Sequence, residues 1–315
     1  MKILVTGALG HIGSKLIRQL PNHIKNAEIT LIDNLSTQRY SSLFNLKKKN
    51  YKFKNIDISI PNKSIENIFN KQDIVIHLAA ITDATSSFDK PKEVERNNLR
   101  ATKIVSEMCS QYNIKLIFIS STSVYGSQSG LVDEDCSKKN LLPQSPYAKT
   151  KLKEEEAIKL ISKKNNLKYV ICRFGTIYGT SEGMRFHTAV NKFCWQAVMG
   201  EPITIWKTAL NQKRPYLYLE DAVNSLIHII KKNLFNGEVY NILSDNLTVS
   251  DVVKEIKKEI KNVKLKMVNH EIMNQLSYEV DNKKIKNTKF KFNGNIKIGV
   301  VETIKLLQNS NYIIK

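Results

Sequence analysis

Residues 3–14 read ILVTGALGHIGS, an apolar run followed by a turn with three glycines and the beginning of a helical pattern. Gly7 allows the chain to turn sharply, Gly10 allows the backbone to approach a pyrophosphate, and Gly13 allows the helix to pack close to the strand. The first N–H groups of that helix are free to bind phosphate oxygens. Glycine turns also serve purely structural roles, but a position between a strand and a helix favours a dinucleotide site. The stretch therefore predicts a Rossmann-type fold.

The first half of the chain alternates short apolar runs with helical patterns, which is typical of a parallel sheet covered by helices. We predict an α/β protein with a doubly wound parallel sheet and right-handed crossovers. The predicted strands are Lys2–Thr6, Ile29–Ile32, Tyr51–Asn55, Ile74–Leu78, Leu116–Ser120 and Tyr169–Arg173. The predicted helices lie near Ile12–Leu20, Ile65–Phe69, Glu93–Gln111 and Tyr147–Lys164.

After residue 175 the pattern changes, because loops lengthen and helices and strands become mixed. We predict a Rossmann domain over residues 1–175 and a smaller mixed α/β lobe over residues 176–315, with part of 210–235 packing back on the first domain. Residues 265–293 show no clear register. The predicted elements of this half are a strand at Ile203–Trp206 and helices near Ala189–Met199, Asp221–Lys231, Val249–Ile260 and Val300–Gln308.

Composition narrows the class of protein. The 315 residues include 49 Lys and Arg against 29 Asp and Glu, a formal net charge of +20. The lysines occur in short scattered runs without a nucleic-acid-binding motif, so we expect a solvated surface that steers anionic substrates, and no nucleic-acid partner. Four dispersed cysteines and six histidines show no metal-ligand spacing, so no metal is expected. Without an apolar run of about 18 residues or a signal-peptide pattern, a cytoplasmic protein with no membrane span is expected.

Acidic residues follow the second and third predicted strands. Asp33 stands about twenty residues after the glycine turn, where an acid accepts both ribose hydroxyls of an adenosine and repels a 2′-phosphate. NAD is therefore favoured over NADP, although an ordinary turn aspartate is the alternative. Asp57 and Ile58 are placed to meet the adenine edge. The fourth strand ends in HLAA, residues 77–80, whose small side chains leave room for cofactor contacts.

A candidate catalytic group follows further along the chain. Tyr147 and Lys151 are four residues apart, on one face of a predicted helix. A phenol with a pKa near ~10 is a poor base at neutral pH, but a nearby ammonium stabilises the phenolate and lowers that pKa, so Tyr147 can accept a proton from a hydroxyl group. Ser121 ends a buried strand, where open α/β sheets bind ligands, and can hydrogen-bond the reacting oxygen. A solvated helix face and a strand-end turn are the structural alternatives, which the shared order of all these motifs disfavours.

The chain resembles the extended short-chain dehydrogenase/reductase family, the NAD-dependent nucleotide-sugar epimerases and dehydratases such as UDP-glucose 4-epimerase. The resemblance extends over nearly the whole chain through TGALGHIG, HLAA, SSTSVYG, SPYAKTK, RFGTIYG, GEPITIW and LEDAV. It implies a substrate lobe after residue 175 and a homodimer paired through the helices at Glu93–Gln111 and Tyr147–Lys164.

The resemblance also implies roles for individual residues. It makes Ser121, Tyr147 and Lys151 catalytic. It places Gly7, Gly10, Gly13, Asp33, Asp57 and Lys151 at NAD. The other predicted NAD contacts are His11, Ile12, Asn34, Ile58, Leu78, Ala79, Ala80, Asn98 and Tyr147. Those that it places at the nucleotide sugar are Ser87, Ser121 and Arg214, the last gripping the diphosphate. We add Ser123, Thr176 and Arg185 as further candidate contacts to the nucleotide sugar.

The sequence departs from the family pattern at several positions. Family 4,6-dehydratases carry an acidic pair where this chain has Thr122 and Ser123, which makes dehydration less favoured than epimerisation. Thr176 replaces the usual asparagine of the Arg-x-x-Asn-x-x-Gly stretch, and Pro215 replaces the acid after the arginine. The glycine-rich turn after GEPI is replaced by residues 206–209. The substrate lobe is thus a distinct subtype, and neither sugar nor base follows from the resemblance.

These residues predict an epimerase that oxidises the sugar at C4, lets the 4-keto sugar turn, and reduces it from the opposite face. Two alternatives stay open. One is a nucleotide-sugar 4-dehydrogenase, dehydratase or 4-ketosugar reductase of the same family. The other is a non-catalytic NAD-sensing or RNA-binding scaffold.

Overall fold

Parallel strands and flanking helices form most of the chain. The computed structural model describes residues 1–46, 51–82, 86–269 and 277–308. Its strands are β1 (Lys2–Thr6), β2 (Glu28–Asp33), β3 (Tyr51–Asn55), β4 (Ile74–His77), β5 (Lys115–Ser121), β6 (Leu131–Val132), β7 (Tyr169–Phe174), β8 (Thr176–Tyr178), β9 (Ile203–Trp206), β10 (Lys213–Tyr218), β11 (Val239–Ile242), β12 (Asp245–Thr248), β13 (Leu265–Val268) and β14 (Glu279–Val280). Its helices are α1 (His11–His23), α2 (Lys63–Phe69), α3 (Pro91–Gln111), α4 (Pro146–Asn165), α5 (Ala189–Val198), α6 (Leu219–Lys232), α7 (Val249–Glu259), α8 (Lys283–Asn287) and α9 (Ile296–Gln308).

Seven strands form one parallel sheet in the order β11-β7-β5-β4-β1-β2-β3. The order reverses on either side of β1, as it does in a doubly wound sheet. The predicted Rossmann-type fold is therefore confirmed. Six of the strands coincide with predicted ones, and the seventh, β11, was missed because its four residues, VYNI, are too few to distinguish a strand from a buried helical turn.

Both faces of this sheet are buried. Successive side chains of a strand point to opposite faces, so Ile3 and Val5 pack with α1 and α6 on one face, while Leu4 packs with α3 and α4 on the other. This burial explains why the central strands are apolar at almost every position. α6 packs directly against α1, so a helix from the second half of the chain covers the first sheet.

The remaining elements form smaller layers beside this sheet. β10 pairs with β8 in parallel and with β12 in antiparallel orientation. β13 pairs with β9, so residues 265–268, for which no register was predicted, form a short strand. Helices α5, α7 and α9 pack on one another and enclose a second apolar core. The mixed second layer agrees with the predicted α/β lobe.

A buried ion pair fastens α4 to the sheet. Arg173 of β7 lies 2.7 Å from Glu155 of α4 and also donates to the hydroxyl of Tyr125 at 2.9 Å. The same carboxylate accepts a hydrogen bond from Ser120 of β5 at 2.6 Å. Both members of the pair are almost fully buried. Because α4 carries Tyr147 and Lys151, this pair fixes the helix on which the candidate catalytic residues stand.

We expect Glu155→Ala to lower the free energy of unfolding by about 3–5 kcal/mol, because it leaves a buried guanidinium without its counter-ion. Urea denaturation measures the loss. Glu156→Ala is the matched control on the same helix, since Glu156 makes only an exposed ion pair of 3.9 Å with Lys138, and it is expected to change stability by less than about 1 kcal/mol. Equal losses in the two variants would contradict the assigned role of the buried pair.

Candidate active site

The glycine turn between β1 and α1 is held against the end of β4. Gly7 has a φ of +64°, and a Cβ on it would stand 2.6 Å from the backbone nitrogen of Ala79. A Cβ on Gly13 would stand 2.5 Å from the carbonyl oxygen of Gly7. Gly7 therefore provides the turn, and Gly13 allows α1 to begin directly behind it, as the sequence predicts. A Cβ on Gly10 would meet only the Gly7 carbonyl oxygen, at 3.3 Å.

The N-terminus of α1 is open to a ligand. Gly10 precedes the helix, and no side chain caps its first N–H groups. His11 is buried, and its carbonyl oxygen accepts a hydrogen bond from Ser181 at 2.9 Å. Burial and the nearby Arg185 lower the pKa of His11 to about 3, so the ring is neutral. The helix end therefore offers uncompensated backbone donors and a positive dipole end to an anion.

Two carboxylates lie beside this turn. Asp33 accepts hydrogen bonds from the backbone nitrogens of Leu9 and Leu35, both at 3.0 Å, which fix its orientation. Asp57 accepts from Ser59 and from the Asn34 amide. Burial acts to raise the pKa of Asp57, but these hydrogen bonds outweigh it and lower the pKa. Both carboxylates are oriented to accept hydrogen bonds from hydroxyl or amino groups of a nucleoside.

A cavity of about 840 Å³ begins at these carboxylates and extends past the ends of β1, β4 and β5 to the second layer. Its volume is in the range of sites for drug-sized ligands. It brings together most of the predicted site residues, although they are scattered along the chain. The predicted residues on its wall are Gly7, Gly10, His11, Ile12, Gly13, Asp33, Asn34, Asp57, Ile58, Leu78, Ala79, Ala80, Ser121, Ser123, Tyr147, Lys151, Thr176, Arg185 and Arg214.

Two predicted site residues lie behind this wall. Asn98 of α3 is buried, and its side-chain amide accepts from the nitrogen of Ile81 at 2.8 Å and donates to the carbonyl oxygen of the same residue at 2.9 Å. Ser87 is also buried, and its hydroxyl accepts from the nitrogen of Tyr147 at 3.4 Å. As the structure stands, both residues shape the wall: Asn98 holds the segment after β4, and Ser87 supports the start of α4.

Three candidate catalytic side chains meet at the middle of the cavity. Ser121 ends β5, and its hydroxyl oxygen accepts from the hydroxyl of Ser123 at 2.9 Å and from the Ser123 nitrogen at 3.2 Å. Tyr147 stands in the first turn of α4, which Ser145 caps through the nitrogen of Ala148. Lys151 follows one turn later, with its ammonium 5.9 Å from the centre of the Tyr147 ring. The hydroxyl, phenol and ammonium therefore face one compartment.

The charge state of Tyr147 depends on opposing influences. Burial raises the pKa of the Tyr147 phenol above its usual value, whereas Lys151 acts to lower it. Glu154 acts to raise this pKa and Arg185 acts to lower it, both more weakly. Lys151 thus acts in the predicted direction, but in the protein alone burial is the stronger influence. A further positive charge in the cavity would favour the phenolate.

Arginine and aromatic side chains line the far end of the cavity. Arg214 of β10 lies 5.7 Å from the ring centre of Trp206, at the end of β9. Tyr216 and Tyr278 line the same end. Arg185 donates to the hydroxyl of Thr82, near the middle of the cavity. A guanidinium stacked on an indole suits a ligand with a phosphate next to a planar base.

Other wall residues were missed by sequence reasoning, because nothing in the sequence marked them as site residues. Arg39 lines the cavity near Asp33 and His187 lines it near Arg185. Both follow a predicted site residue by a few positions, but nothing in the sequence showed that these loop side chains would turn towards the cavity. Further wall residues that were not predicted are Thr82, Asn97, Lys192, Thr204 on β9 and Val268 on β13.

The described part of the chain contains no cluster of three His, Cys, Asp or Glu side chains suited to a metal ion. Within the same residues, no helix is both long enough and apolar enough to cross a bilayer.

A sequence model described as the NAD dependent epimerase/dehydratase family matches residues 3–242. The chain belongs to this family. The resemblance found in the sequence is thereby confirmed. The family uses NAD, the cofactor that the sequence predicted. The structure fits it: an uncapped helix N-terminus, a glycine turn pressed against β4 and an oriented Asp33 suit a dinucleotide.

Proteins similar to this chain carry names of different activities. The chain is 34% identical over 273 residues to dTDP-D-glucose 4,6-dehydratase of Dictyostelium discoideum, a match that covers 81% of this chain and 61% of that protein. It is 32% identical over 251 residues to an uncharacterized UDP-glucose epimerase of Bacillus subtilis, covering 77% of this chain and 76% of that protein. The chain thus spans less than two thirds of the first relative.

Solved structures of the family share the whole fold. UDP-glucuronic acid 4-epimerase from Bacillus cereus, solved with UDP-glucuronic acid and NAD, superimposes with a TM-score of 0.85 at 27% identity and covers 99% of this chain and 100% of that one. UDP-N-acetylglucosamine 4-epimerase from Methanobrevibacter ruminantium superimposes with a TM-score of 0.86 at 25% identity, covering 98% and 99%.

We expect Gly7→Ala to lower both the melting temperature and the affinity for NAD, because the new methyl group meets the backbone of Ala79 and the turn needs a positive φ. Calorimetry of unfolding and of NAD binding measures the two effects. Gly130→Ala is the control, since a Cβ there meets no atom within 4 Å, and it should leave both quantities unchanged. A Gly7→Ala variant that binds NAD as tightly as the control would disprove the assigned role.

Proposed function

We propose that the protein is a nucleotide-sugar epimerase that inverts the sugar at C4 through a transient 4-keto intermediate. The supporting observation is the position of Ser121, Tyr147 and Lys151 at the middle of one cavity. Asp33 and the open N-terminus of α1 lie at one end, and Arg214 lies at the other. A dinucleotide can occupy the first end and a nucleotide diphosphate the second, so that the sugar between them meets the phenol.

Tyr147 is the proposed base for the C4 hydroxyl of the sugar. Ser121 accepts hydrogen bonds from Ser123 and can donate its own proton to the sugar oxygen, which orients that oxygen. Lys151 counteracts the effect of burial on the phenol and can bind the hydroxyls of a ribose. When bound, NAD⁺ supplies the hydride acceptor at C4 and, once reduced, the donor. Tyr147 then returns the proton to the same oxygen, so the cycle has no net redox change.

The anchoring of the substrate is proposed from charge and shape. Arg214 provides a guanidinium for the diphosphate and Trp206 a planar surface for the base. Arg185 is a second proposed contact to the diphosphate. Ser123 and Thr176 line the cavity near the proposed sugar position, while Ser87 acts through the position of Tyr147.

A 4,6-dehydratase is the strongest alternative, because one curated relative carries that name. Removal of water from C5 and C6 needs an acid and a base next to the sugar. At the positions where family dehydratases carry an acidic pair, Thr122 donates to the carbonyl oxygen of Phe174 and Ser123 donates to Ser121. In the described chain, the carboxylates on the cavity wall are Asp33, Asp57 and the exposed Glu93. Epimerisation is therefore the better-supported reaction.

A 4-dehydrogenase or a 4-ketosugar reductase would use the same catalytic residues. These enzymes change the redox state of the sugar, so they accumulate NADH or consume it, whereas an epimerase needs no added cofactor beyond the bound molecule. Absorbance of NADH during turnover distinguishes the two classes. A non-catalytic NAD-sensing or RNA-binding scaffold is disfavoured by the buried Lys151 next to Tyr147, an arrangement that binding alone does not need.

We expect Tyr147→Phe to lower kcat by roughly 10²–10⁴-fold, the usual contribution of a general base. A nuclear magnetic resonance assay of UDP-, GDP-, CDP- and dTDP-sugars, which reports the configuration at C4, measures it. Binding of the nucleotide sugar should remain, because the ring and its packing are kept.

The variant Tyr40→Phe serves as the control, since Tyr40 is exposed and does not line the cavity. Epimerase activity that survives Tyr147→Phe at the level of this control would exclude Tyr147 as the base. Formation of a 4-keto-6-deoxy sugar by the unsubstituted protein would instead identify a dehydratase.

We further propose a homodimer that pairs through α3 and α4, which pack side by side. Leu160 of α4 is 60% exposed, so it lies on the surface of one of the two helices that the proposed interface would cover. We expect Leu160→Glu to increase the monomer fraction in sedimentation velocity. Leu306→Glu, on the surface of α9, is the control with a similarly exposed leucine. A protein that sediments as a monomer without any substitution would refute the dimer.

We also infer that residues 1–175 bind the dinucleotide and residues 176–315 form the nucleotide-sugar lobe, apart from α6 and β11, which pack with the first sheet. Hydrogen exchange with NAD alone and with added nucleotide sugar tests this division, which fails if both ligands protect the same residues. A cytoplasmic location is proposed with it, and cell fractionation tests that location.

A further inference from the structure

The proposed mechanism does not use a buried carboxylate that lies next to Lys151. Glu154 lies one turn after Lys151 on α4, and its Oε2 is 3.2 Å from the Lys151 Nζ. The Glu154 side chain is 0% exposed and the Lys151 side chain 4%. Burial of an ionised carboxylate is strongly unfavourable unless it is paired and hydrogen-bonded. This pair therefore differs from the exposed ion pairs elsewhere on the protein.

The second oxygen of Glu154 is held from the neighbouring helix. Thr102 of α3 donates its hydroxyl proton to Oε1, and the Thr102 oxygen lies 3.3 Å from Nε2 of His77. Because the only proton of that hydroxyl goes to Glu154, His77 must donate to Thr102 through Nε2–H. Burial and Lys151 lower the pKa of His77 to about 3, so the ring is neutral and carries this single proton.

The same reasoning extends this series of hydrogen bonds from His77 to the glycine turn. A neutral His77 protonated at Nε2 accepts at Nδ1, where the hydroxyl of Thr6 lies at 2.7 Å. Thr6 in turn accepts from the backbone nitrogen of Ala79 at 3.3 Å. Every proton thus points towards Glu154, which receives a hydrogen bond on one oxygen and the ammonium on the other. Both oxygens of Glu154 therefore act as acceptors in this arrangement.

We propose that Glu154 is a positioning residue that fixes the Lys151 ammonium beside Tyr147 and weakens the effect of its positive charge on the phenol. The inference rests on the proposed function only in naming Tyr147 as the base. The ion pair and the hydrogen-bond chain, which joins the glycine turn to α4, stand independently of the reaction.

The sign of the effect follows from the surrounding charges. Burial is the largest single influence and acts to lower the pKa of Lys151, but Glu154, Tyr147 and Glu155 together outweigh it, and the pKa is raised. Glu154 also acts to raise the pKa of Tyr147, against Lys151 and Arg185. The other ionic group that faces Lys151 is Glu155, which is already paired with Arg173. Ionisation of Tyr147 therefore places a phenolate and a carboxylate around one ammonium.

The test is Glu154→Gln, which keeps the size of the side chain and an acceptor for Thr102 but removes the charge. We expect the midpoint of Tyr147 ionisation to fall by about one pH unit, the order of magnitude for an interaction between partly screened charges inside a protein. Near-ultraviolet absorbance of tyrosinate, followed as the pH is raised in the full-length protein with and without NAD, measures it. Subtracting the same titration of the Tyr147→Phe form of each variant isolates this phenol.

Two neighbouring substitutions serve as controls. Glu156→Gln removes an equal charge from the exposed face of α4 and should leave the midpoint unchanged. Glu155→Gln removes a buried charge that is paired with Arg173, so it should reduce thermal stability with a smaller shift. A midpoint that is unmoved or raised in Glu154→Gln overturns the proposal, as does a shift no larger than that of Glu155→Gln.

A third variant carries the test if Glu154→Gln does not fold. Glu154→Asp keeps the charge but withdraws it from Lys151, so its midpoint should lie between those of the unsubstituted protein and the glutamine variant. An unchanged midpoint in this variant also overturns the proposal. Since the absorbance titration needs no substrate, a lack of epimerase activity with a shifted midpoint rejects the proposed reaction alone. An active enzyme with an unmoved midpoint rejects the role of Glu154 alone.

Discussion

Parallel pairing of the seven strands places all their carboxyl ends at one edge of the sheet, and the site depends on this constraint. Asp33 ends β2, Asp57 follows β3, His77 ends β4 and Ser121 ends β5. Residues from distant parts of the chain thus reach one cavity, because the strands that carry them all end at the same edge of the sheet. The glycine turn after β1 lies at the same edge, which is where open α/β sheets bind ligands.

Burial opposes the chemistry as much as it supports it. The wall that excludes water around Tyr147 also raises the pKa of the phenol. The ammonium that acts against this effect is itself buried, and its pKa is raised because Glu154, Tyr147 and Glu155 together outweigh burial. Tyr147, Lys151 and Glu154 therefore depend on one another: the carboxylate stabilises the buried ammonium, and the ammonium stabilises the phenolate. A single buried charge in this position would be much less stable.

The sequence contained enough information for the fold and for much of the cavity wall, because both depend on local patterns. The strand–glycine–helix order at residues 3–14 reflects backbone geometry that few other residues allow, and the apolar strands reflect burial on both faces. β11 escaped prediction because four buried residues carry no periodicity. Arg39 and His187 escaped because loop residues are placed by the fold and not by their neighbours in sequence. Glu154 stands at helical spacing from Lys151, but an acid on a lysine-rich helix is expected at the solvated surface. Its burial depends on the packing of α3 against α4, which the sequence does not reveal.

The return of α6 and β11 to the first sheet has a consequence for how the two halves fold. A fragment that ended at residue 175 would expose the backbone edge of β7 and the apolar face of α1, where β11 and α6 now lie. An unpaired strand edge next to bare apolar surface is a template for aggregation. The nascent first half therefore has no finished sheet of its own during synthesis, and its last strand forms only after more than sixty further residues have emerged, from Phe174 at the end of β7 to Val239 at the start of β11.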